Sequence, residues 1–294
     1  MLTCLARKKM STTGAMNWSI RDRTLSFDSQ PLVMGILNVT PDSFSDGGRF
    51  SVPSEAIEEG CRMVDHGAKI LDIGGESTRP GAHEVSSDVE LGRVLPVISG
   101  LRKLSTVPLS IDTRHAEVAR RAIEAGADIV NDVTAMRHDP SMSDVVVSTG
   151  VGLVLMHMQG QPETMQSDPQ YENVVEEVQE FLGRRVEAAV SSGIRKEALV
   201  IDPGIGFGKT VEHNLDLIAG LGNLLVYGLP VLVGVSRKSF LGSVTGRNQE
   251  ERLAAGVAVN VLAALYGAAI LRVHDVKETC DALKILDMVS RRQA

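Results

Sequence analysis

Aromatic side chains are scarce in this chain: one Trp, three Tyr and six Phe among 294 residues. So few rings leave little surface on which single-stranded nucleic acid could stack. Cysteine is rarer still. Cys4, Cys61 and Cys280 are odd in number and no two are spaced as CxxC, which excludes a disulfide framework and argues against zinc. Cys61 and Cys280 fall within helical patterns and read as buried thiols of a reducing, cytoplasmic compartment. An excess of positive charge is missing too. The formal net charge is −7, which speaks against nucleic acid and anionic membranes as partners. Long apolar runs are lacking: residues 253–271 come nearest to the ~18 needed to cross a bilayer, and Asn260 with Gly256, Tyr266 and Gly267 breaks that run. Residues 1–15 carry Arg7-Lys8-Lys9 without the apolar core of a signal peptide, and are expected to be a partly disordered extension.

What is present is a rhythm. Eight short apolar runs each stop at a polar or charged residue. They are 33–37 into Asn38, 70–71 into Asp72, 109–111 into Asp112 and 129–130 into Asn131-Asp132. Then follow 153–156 into His157, 199–201 into Asp202, 231–235 into Ser236, and 270–271 into Arg272-Val273-His274. A continuous apolar run of this length reads as a strand buried on both faces, hence a parallel sheet. Helical patterns convincingly follow seven of the eight, over 54–66, 87–104, 116–125, 174–191, 211–221, 249–266 and 276–291, with a weaker one at 142–149. Ser87-Asp88-Val89-Glu90 has capping-box spacing. Eight strand–helix units predict an α/β protein, a single (β/α)8 TIM barrel over residues 16–294. Residues 16–27 alternate loosely, and Arg21-Asp22-Arg23 suits the turn of an N-terminal β-hairpin closing the barrel floor. The helix from Gln249 is apolar nearly all round, which predicts burial on two sides and a subunit interface.

In such a barrel the chemistry lies where strands end. Asn38, Asp72, Asp112, Asn131, Asp202, Lys238, Arg272 and His274 should therefore share one mouth. A helix cap explains one polar strand end easily. It does not easily explain Asp112, Asn131 and Asp202 together with Lys238, because each costs several kcal/mol if buried dry. Two loops are rich in Gly, Ser and Asp: 38–48 and 74–81. That composition at a barrel mouth suits lids over a substrate. The segment Asp202 to Lys209 is neither a Walker A loop, since Pro203 stands where glycine is needed, nor a dinucleotide fingerprint, since Lys209 stands where the third glycine belongs. His157 reads as a satisfied structural histidine, and Asp132 and Asp275 as support residues.

Together these segments resemble dihydropteroate synthase. The resemblance rests on 38–48, 71–81, Ser110-Ile111-Asp112-Thr113, Val130-Asn131-Asp132, 156–160, 202–209, 234–239 and Arg272-Val273-His274-Asp275, in family order from about residue 32 to 287. It implies condensation of 6-hydroxymethyl-7,8-dihydropterin diphosphate with 4-aminobenzoate, releasing diphosphate. Asp202 would accept the two parallel N–H donors of the pterin's guanidine-like edge. Lys238 would donate to the ring carbonyl and its neighbouring nitrogen, Asp112 and Asn131 would cover the remaining polar positions, and Met156 and Phe207 would supply apolar faces. Thr78, Arg79, Arg272 and His274 would hold the diphosphate, with Asn38 as ligand of a magnesium ion. Phe44, Asp46, Arg79, Pro80 and Ser239 would surround the aminobenzoate, where sulfonamides should compete. Asn38, Arg79, Asp112, Lys238, Arg272 and His274 are the expected catalytic set. The family also points to a homodimer. A pterin-dependent methyltransferase, whose methyl donor carries no diphosphate and leaves Arg79 and the loaded loops without a purpose, and a non-catalytic pterin-binding protein are the alternatives; a product assay separates both from the synthase.

Overall fold

The computed structural model of the chain describes residues 16–27, 30–40, 52–77, 85–161 and 163–292. A hairpin of β1 (Asn17–Ile20) and β2 (Arg23–Ser26) comes first. Then β3 (Leu32–Asn38), α1 (Val52–Asp65), β4 (Ile70–Gly74), α2 (Ser87–Leu104), β5 (Leu109–Asp112), α3 (Ala116–Ala125), β6 (Ile129–Asp132) and α4 (Met142–Thr149) alternate. They continue as β7 (Gly152–Met156), α5 (Val174–Ser191), β8 (Leu199–Asp202), α6 (Val211–Ala219), β9 (Leu232–Val233), α7 (Ser239–Thr245), α8 (Leu253–Leu265), β10 (Ile270–Val273) and α9 (Val276–Ser290).

Strands β3 to β10 pair in parallel in the order β8-β7-β6-β5-β4-β3-β10-β9. A parallel bridge between Ile201 and Val231 joins the two ends and closes a (β/α)8 barrel. Each strand is apolar on both faces because each face meets a different apolar layer. Outward residues such as Leu71, Ile73, Leu109 and Ile111 pack with the helices. Inward residues Met34, Ile70, Ile129, Val154, Val200, Leu232 and Ile270 pack with Trp18 and Ile20 of the hairpin. The hairpin therefore plugs the floor, pinned by the Trp18 indole N–H on the Ala198 carbonyl at 2.8 Å.

Strand period places the functional residues above that floor. Side chains two residues apart share a face. Two or four residues beyond the inward apolar layer stand Asn38, Asp72, Asn131, Met156, Asp202, Arg272 and His274, with Asp112 two beyond the buried Ser110. The floor layer is dry and the next layers are polar, so one inner face changes character from end to end.

Several helix boundaries differ from the sequence expectation. The cap of α2 is Ser86, whose Oγ accepts from the Val89 amide at 3.4 Å, so the expected box of Ser87 and Glu90 does not form. Glu90 is carried inward and fully buried. The helix expected over 249–266 is a 3-10 turn at Gln249–Glu251 followed by α8, and the one expected over 211–221 ends at Ala219. Helix α7 is an addition, laid between the seventh apolar run and its helix. On α8 and its neighbour α9, Leu253, Leu262, Leu265, Ile285, Met288 and Val289 are exposed in the single chain. Cys61 and Cys280 are half-buried free thiols. Residues 1–15, with Cys4, lie outside the described residues. Among the described residues no helix is long and apolar enough to cross a membrane.

Candidate active site

Across four adjacent strands, Asn38, Gly74, Asp112 and Asn131 stand in register. Gly74 has no side chain, and this opens the row. A Cβ there would lie 3.8 Å from Asn38 Oδ1 and 3.9 Å from Asp112 Oδ2. The two oxygens thus border one small space at the mouth.

Below it lies a charged layer. Arg272 on β10 donates from Nε to Asp72 Oδ2 and from Nη2 to Asp112 Oδ2, both at 2.6 Å. Asn131 Nδ2 donates to the same Asp72 oxygen at 3.0 Å. One guanidinium thus serves two carboxylates. Burial, with Asp72 alongside, holds Asp112 above the ordinary carboxylate range against the pull of Arg272. Oδ1 of Asp72 and of Asp112 is buried without a hydrogen-bond partner. Buried oxygens left in this state are open acceptors for a donor or a cation.

The opposite wall is built by β7, β8 and the loops after β8 and β9. Asp202 is buried and accepts from the Gly204 amide at 2.7 Å. Burial raises its carboxyl, while Lys238, Gly204, Arg272 and Lys209 pull it down. Lys238 donates to the Ile205 carbonyl, and its ammonium lies 4.7 Å from the centre of the Phe207 ring. Desolvation lowers Lys238 to about 8, opposed by Asp202. Phe207 packs with Met156, Val133, Met158 and Met165, an apolar shelf beside the acceptor Asp202 and the donor Lys238. Met156 and Asp202 are register partners on β7 and β8.

The turn that delivers Lys238 is unusual. Arg237 has φ 58, a left-handed conformation that costs a non-glycine residue energy. Its side chain reaches Asp275 at 2.6 Å, and its carbonyl accepts from Arg252 Nη1 at 3.0 Å. These contacts hold the turn. They also give Asp275 the supporting role expected of it. His274 Nδ1 lies 3.0 Å from Ser236 Oγ, which fixes the ring at the end of β10. Asp132 accepts from Thr134 and from the Met136 amide and orders the β6 loop. Ser239 opens α7 and is exposed.

Phe44, Asp46, Thr78, Arg79 and Pro80 lie outside the described residues. Of the other expected site residues, Asn38, Asp112, Asn131, Met156, Asp202, Phe207, Lys238, Arg272 and His274 all belong to the same end of the barrel.

Sequence reasoning missed three groups. Lys209, noted only as a residue that spoils two motifs, is buried 2.9 Å from His157 Nδ1. Glu76 accepts from Arg114 Nη2 at 3.0 Å and from the Val85 amide at 3.3 Å. Glu90, read as a capping residue, sits nearby, and burial pushes its carboxyl up to about 8. Glu76, Glu90 and His115 bring ligand atoms within 4.8 Å of one another, but Glu76 already carries the Arg114 guanidinium. No local pattern could have revealed the Lys209–His157 and Glu76–Arg114 contacts, because those partners come from different barrel units.

Residues 34–274 match the pterin binding enzyme family. The chain is 46% identical over 259 residues to the dihydropteroate synthase of Escherichia coli K12, covering 88% of this chain and 92% of that protein. It superposes with a TM-score of 0.89 on a solved Xanthomonas albilineans dihydropteroate synthase with 4-aminobenzoic acid, at 48% identity, covering 94% of this chain and 99% of the other. A second structure of that enzyme, in complex with 7,8-dihydropteroate, gives a TM-score of 0.86 at 46% identity, covering 93% and 98%. With a family match across the whole barrel and relatives this similar over nearly their full length, the chain belongs to the pterin binding enzymes and, among them, to the dihydropteroate synthase family.

Proposed function

We propose that the chain condenses 6-hydroxymethyl-7,8-dihydropterin diphosphate with 4-aminobenzoate, giving 7,8-dihydropteroate and diphosphate. The observation that carries this reading is the pairing of the acceptor Asp202 with the donor Lys238 beside the Phe207–Met156 shelf. A pterin has the complementary shape: a flat ring, a guanidine-like edge of donors and an adjacent carbonyl. Asp202 takes the donor edge, Lys238 the carbonyl, and Asp112 and Asn131 the remaining polar positions. Strand ends hold Asp202, Asp112 and Asn131, and the turn braced by Arg237 holds Lys238, which positions the ring at little entropic cost on binding.

The reaction breaks the pterin CH2–O bond, and the bonding electrons leave with the diphosphate. The aromatic amine then forms the new C–N bond and loses a proton. The electron-rich reduced ring stabilises the carbon centre as the bond breaks. Arg272, His274, Thr78 and Arg79 hold the departing charge. Arg272 meets it already oriented by Asp72 and Asp112. The amine is neutral, so the protein positions it and needs no strong base. Phe44, Asp46, Arg79, Pro80 and Ser239 would form its site and exclude water, and sulfonamides would compete there.

The oxygen donors of the mouth fit a hard divalent ion. Asn38 Oδ1 and Asp112 Oδ2 border the Gly74 space, and the neighbouring unpartnered carboxylate oxygens are acceptors of the kind magnesium prefers. Asn38, together with substrate diphosphate oxygens, would hold it. When bound, magnesium supplies Lewis-acid neutralisation of the leaving diphosphate. Asn38→Ala should raise the magnesium concentration at half-maximal rate by about tenfold, the equivalent of one lost oxygen contact of about 1.4 kcal/mol. An unchanged magnesium titration would remove Asn38 from the metal site. The apolar face of α8 and α9 would be covered in a homodimer.

The decisive assay supplies pterin diphosphate, aminobenzoate and magnesium and looks for dihydropteroate by mass. Product formation separates the synthase from a methyltransferase or a non-catalytic binder. Asp202→Asn should weaken pterin binding by about 1–3 kcal/mol, because a donor then faces the pterin's donors. Calorimetry with a pterin reads this directly, and unaltered affinity would take Asp202 out of the site. Binding should also be ordered. Most pterin contacts, Asp112, Asn131, Met156 and Asp202, sit on strand ends, whereas Phe44 and Pro80 belong to loops. Aminobenzoate should bind weakly alone and tightly with diphosphate and magnesium present. Equal affinity under both conditions would refute that order.

A further inference from the structure

The turn that delivers Lys238 carries strain, and the groups that restrain it lie outside the pterin contacts. The Lys238 amide donates to the Val235 carbonyl at 3.2 Å, which closes a four-residue turn with Arg237 in its third place. Arg237 has φ 58 there, a conformation that such turns ordinarily give to glycine or asparagine. A strained residue persists only where its surroundings over-determine it. Two contacts do so here. The Arg237 guanidinium meets Asp275, just after β10, with Nη2 2.6 Å from Oδ1. The Arg237 carbonyl accepts from Arg252 Nη1 at 3.0 Å.

Arg252 is itself firmly held. It stands at the N-terminal cap of α8, and the Gly256 amide donates to its carbonyl at 2.8 Å. The turn before it is ordered by Glu251, which accepts from the Asn248 amide at 3.2 Å. Arg252 Nε donates to the Arg247 carbonyl at 3.2 Å. The fork of one guanidinium thus grips two carbonyls, from the turns on either side of α7. Gly242 of α7 makes room for it: a Cβ there would fall 2.6 Å from Arg252 Nε. The side chain of Lys238 is confined in turn. Its stem lies on Gly206, where a Cβ would come 2.9 Å from Lys238 Cδ, and its ammonium donates to the Ile205 carbonyl beside Phe207. With the stem so confined, a shift of the turn moves the ammonium.

We propose that Arg252 is a positioning residue of the pterin site, acting through the strained Arg237 turn to set Lys238 against the pterin's ring carbonyl. This rests on the assignment of Lys238 to that carbonyl. Without Arg252 the turn relaxes toward the negative φ that a non-glycine residue prefers, and the root of Lys238 rotates with it. Hydrogen bonds weaken steeply with misalignment. The loss therefore falls on the bond that Lys238 makes, and the contacts of Asp202 with the donor edge are spared.

Two probes read that bond by calorimetry: 6-hydroxymethylpterin and its 4-thioxo analogue, which keeps the donor edge and replaces the carbonyl oxygen by a weakly accepting sulfur. Wild-type protein should prefer the oxo probe by about tenfold, the worth of one hydrogen bond. Lys238→Met should bind the two alike. Arg252→Met should weaken the oxo probe by roughly fivefold to tenfold, leave the thioxo probe near its wild-type affinity, and so lose most of the preference. Gly242→Ala, whose added methyl meets the guanidinium and the Arg247 carbonyl it holds, should do the same, and it decides the matter if Arg252→Met does not fold. If Lys238→Met keeps the wild-type preference, the assignment of Lys238 is wrong and the proposal goes with it. If Lys238→Met loses the preference while Arg252→Met and Gly242→Ala keep it, the proposal alone is overturned. An equal loss for both probes in Arg252→Met assigns that residue a merely structural role and also overturns it.

Discussion

Arg272→Ala should destabilise the protein by about 3–5 kcal/mol, the usual cost of leaving a buried charge without its partner. Here two carboxylates are stranded, Asp72 fully buried and Asp112 nearly so. Both already carry an unpartnered oxygen, and of the two only Asp72 keeps a side-chain donor, the Asn131 amide. The deficit should depend on pH, and its sign follows from linkage. Burial already holds Asp112 above the ordinary carboxylate range against Arg272; without the guanidinium that carboxyl rises further in the folded state, which then binds more protons than the unfolded chain. Stability of the variant therefore falls as pH rises through the raised value, and the gap from wild type widens. Urea unfolding at pH 5 and pH 8 measures this. An equal deficit at both would mean that lost packing, and not charge, dominates. Arg272→Ala should also remove most activity, since the proposed mechanism gives the same side chain the leaving diphosphate to hold.

The second large effect is expected at Gly204. Its φ is +66, and a Cβ would fall 1.8 Å from the His157 carbonyl oxygen. That oxygen belongs to main chain held by the β7–β8 ladder and cannot step aside. Gly204→Ala adds a left-handed penalty of about 1–2 kcal/mol, and the clash forces the 203–208 loop to move as well. The loop carries the amide that holds Asp202 and the ring of Phe207. A displacement near 1 Å at such a site costs about 100-fold in rate, so turnover should fall by at least that much. Gly228→Ala is the control. Gly228 shares the backbone conformation, with φ +64, but has nothing within 4 Å of its Cβ position. It should lose only the conformational term and keep full activity. Comparable activity in the two variants would show that the collision at His157 is relieved without moving the site.

How much was legible beforehand depended on range. Strand ends could be read because a strand buried on both faces needs an unbroken apolar run, and the first polar residue after it marks the mouth. Asn38, Asp112, Asn131 and Asp202 were visible for that reason alone. The closing hairpin was legible from its turn and its loose alternation. Helix starts were less secure. Ser86 and Ser87 are equally good capping residues, and only packing against the barrel decided between them. With the cap one residue earlier, Glu90 turns inward instead of bonding its own helix end. Helix α7 escaped the pattern, because its seven residues carry too short a period to register.

The amino-acid order by itself determined the eight-unit barrel, its floor and the set of polar residues at its mouth, because these follow from period and from the ends of apolar runs. The family resemblance of those polar residues then named the pterin chemistry. Tertiary structure alone decided which charges meet. Arg272 lies 200 residues from Asp72 and 160 from Asp112, yet closure of the barrel places them in one layer. Lys209 faces His157 across 52 residues for the same reason. Distance along the chain carries no signal of such pairs; they exist because a parallel barrel brings every strand end to one rim, where each buried charge must find a partner from another unit.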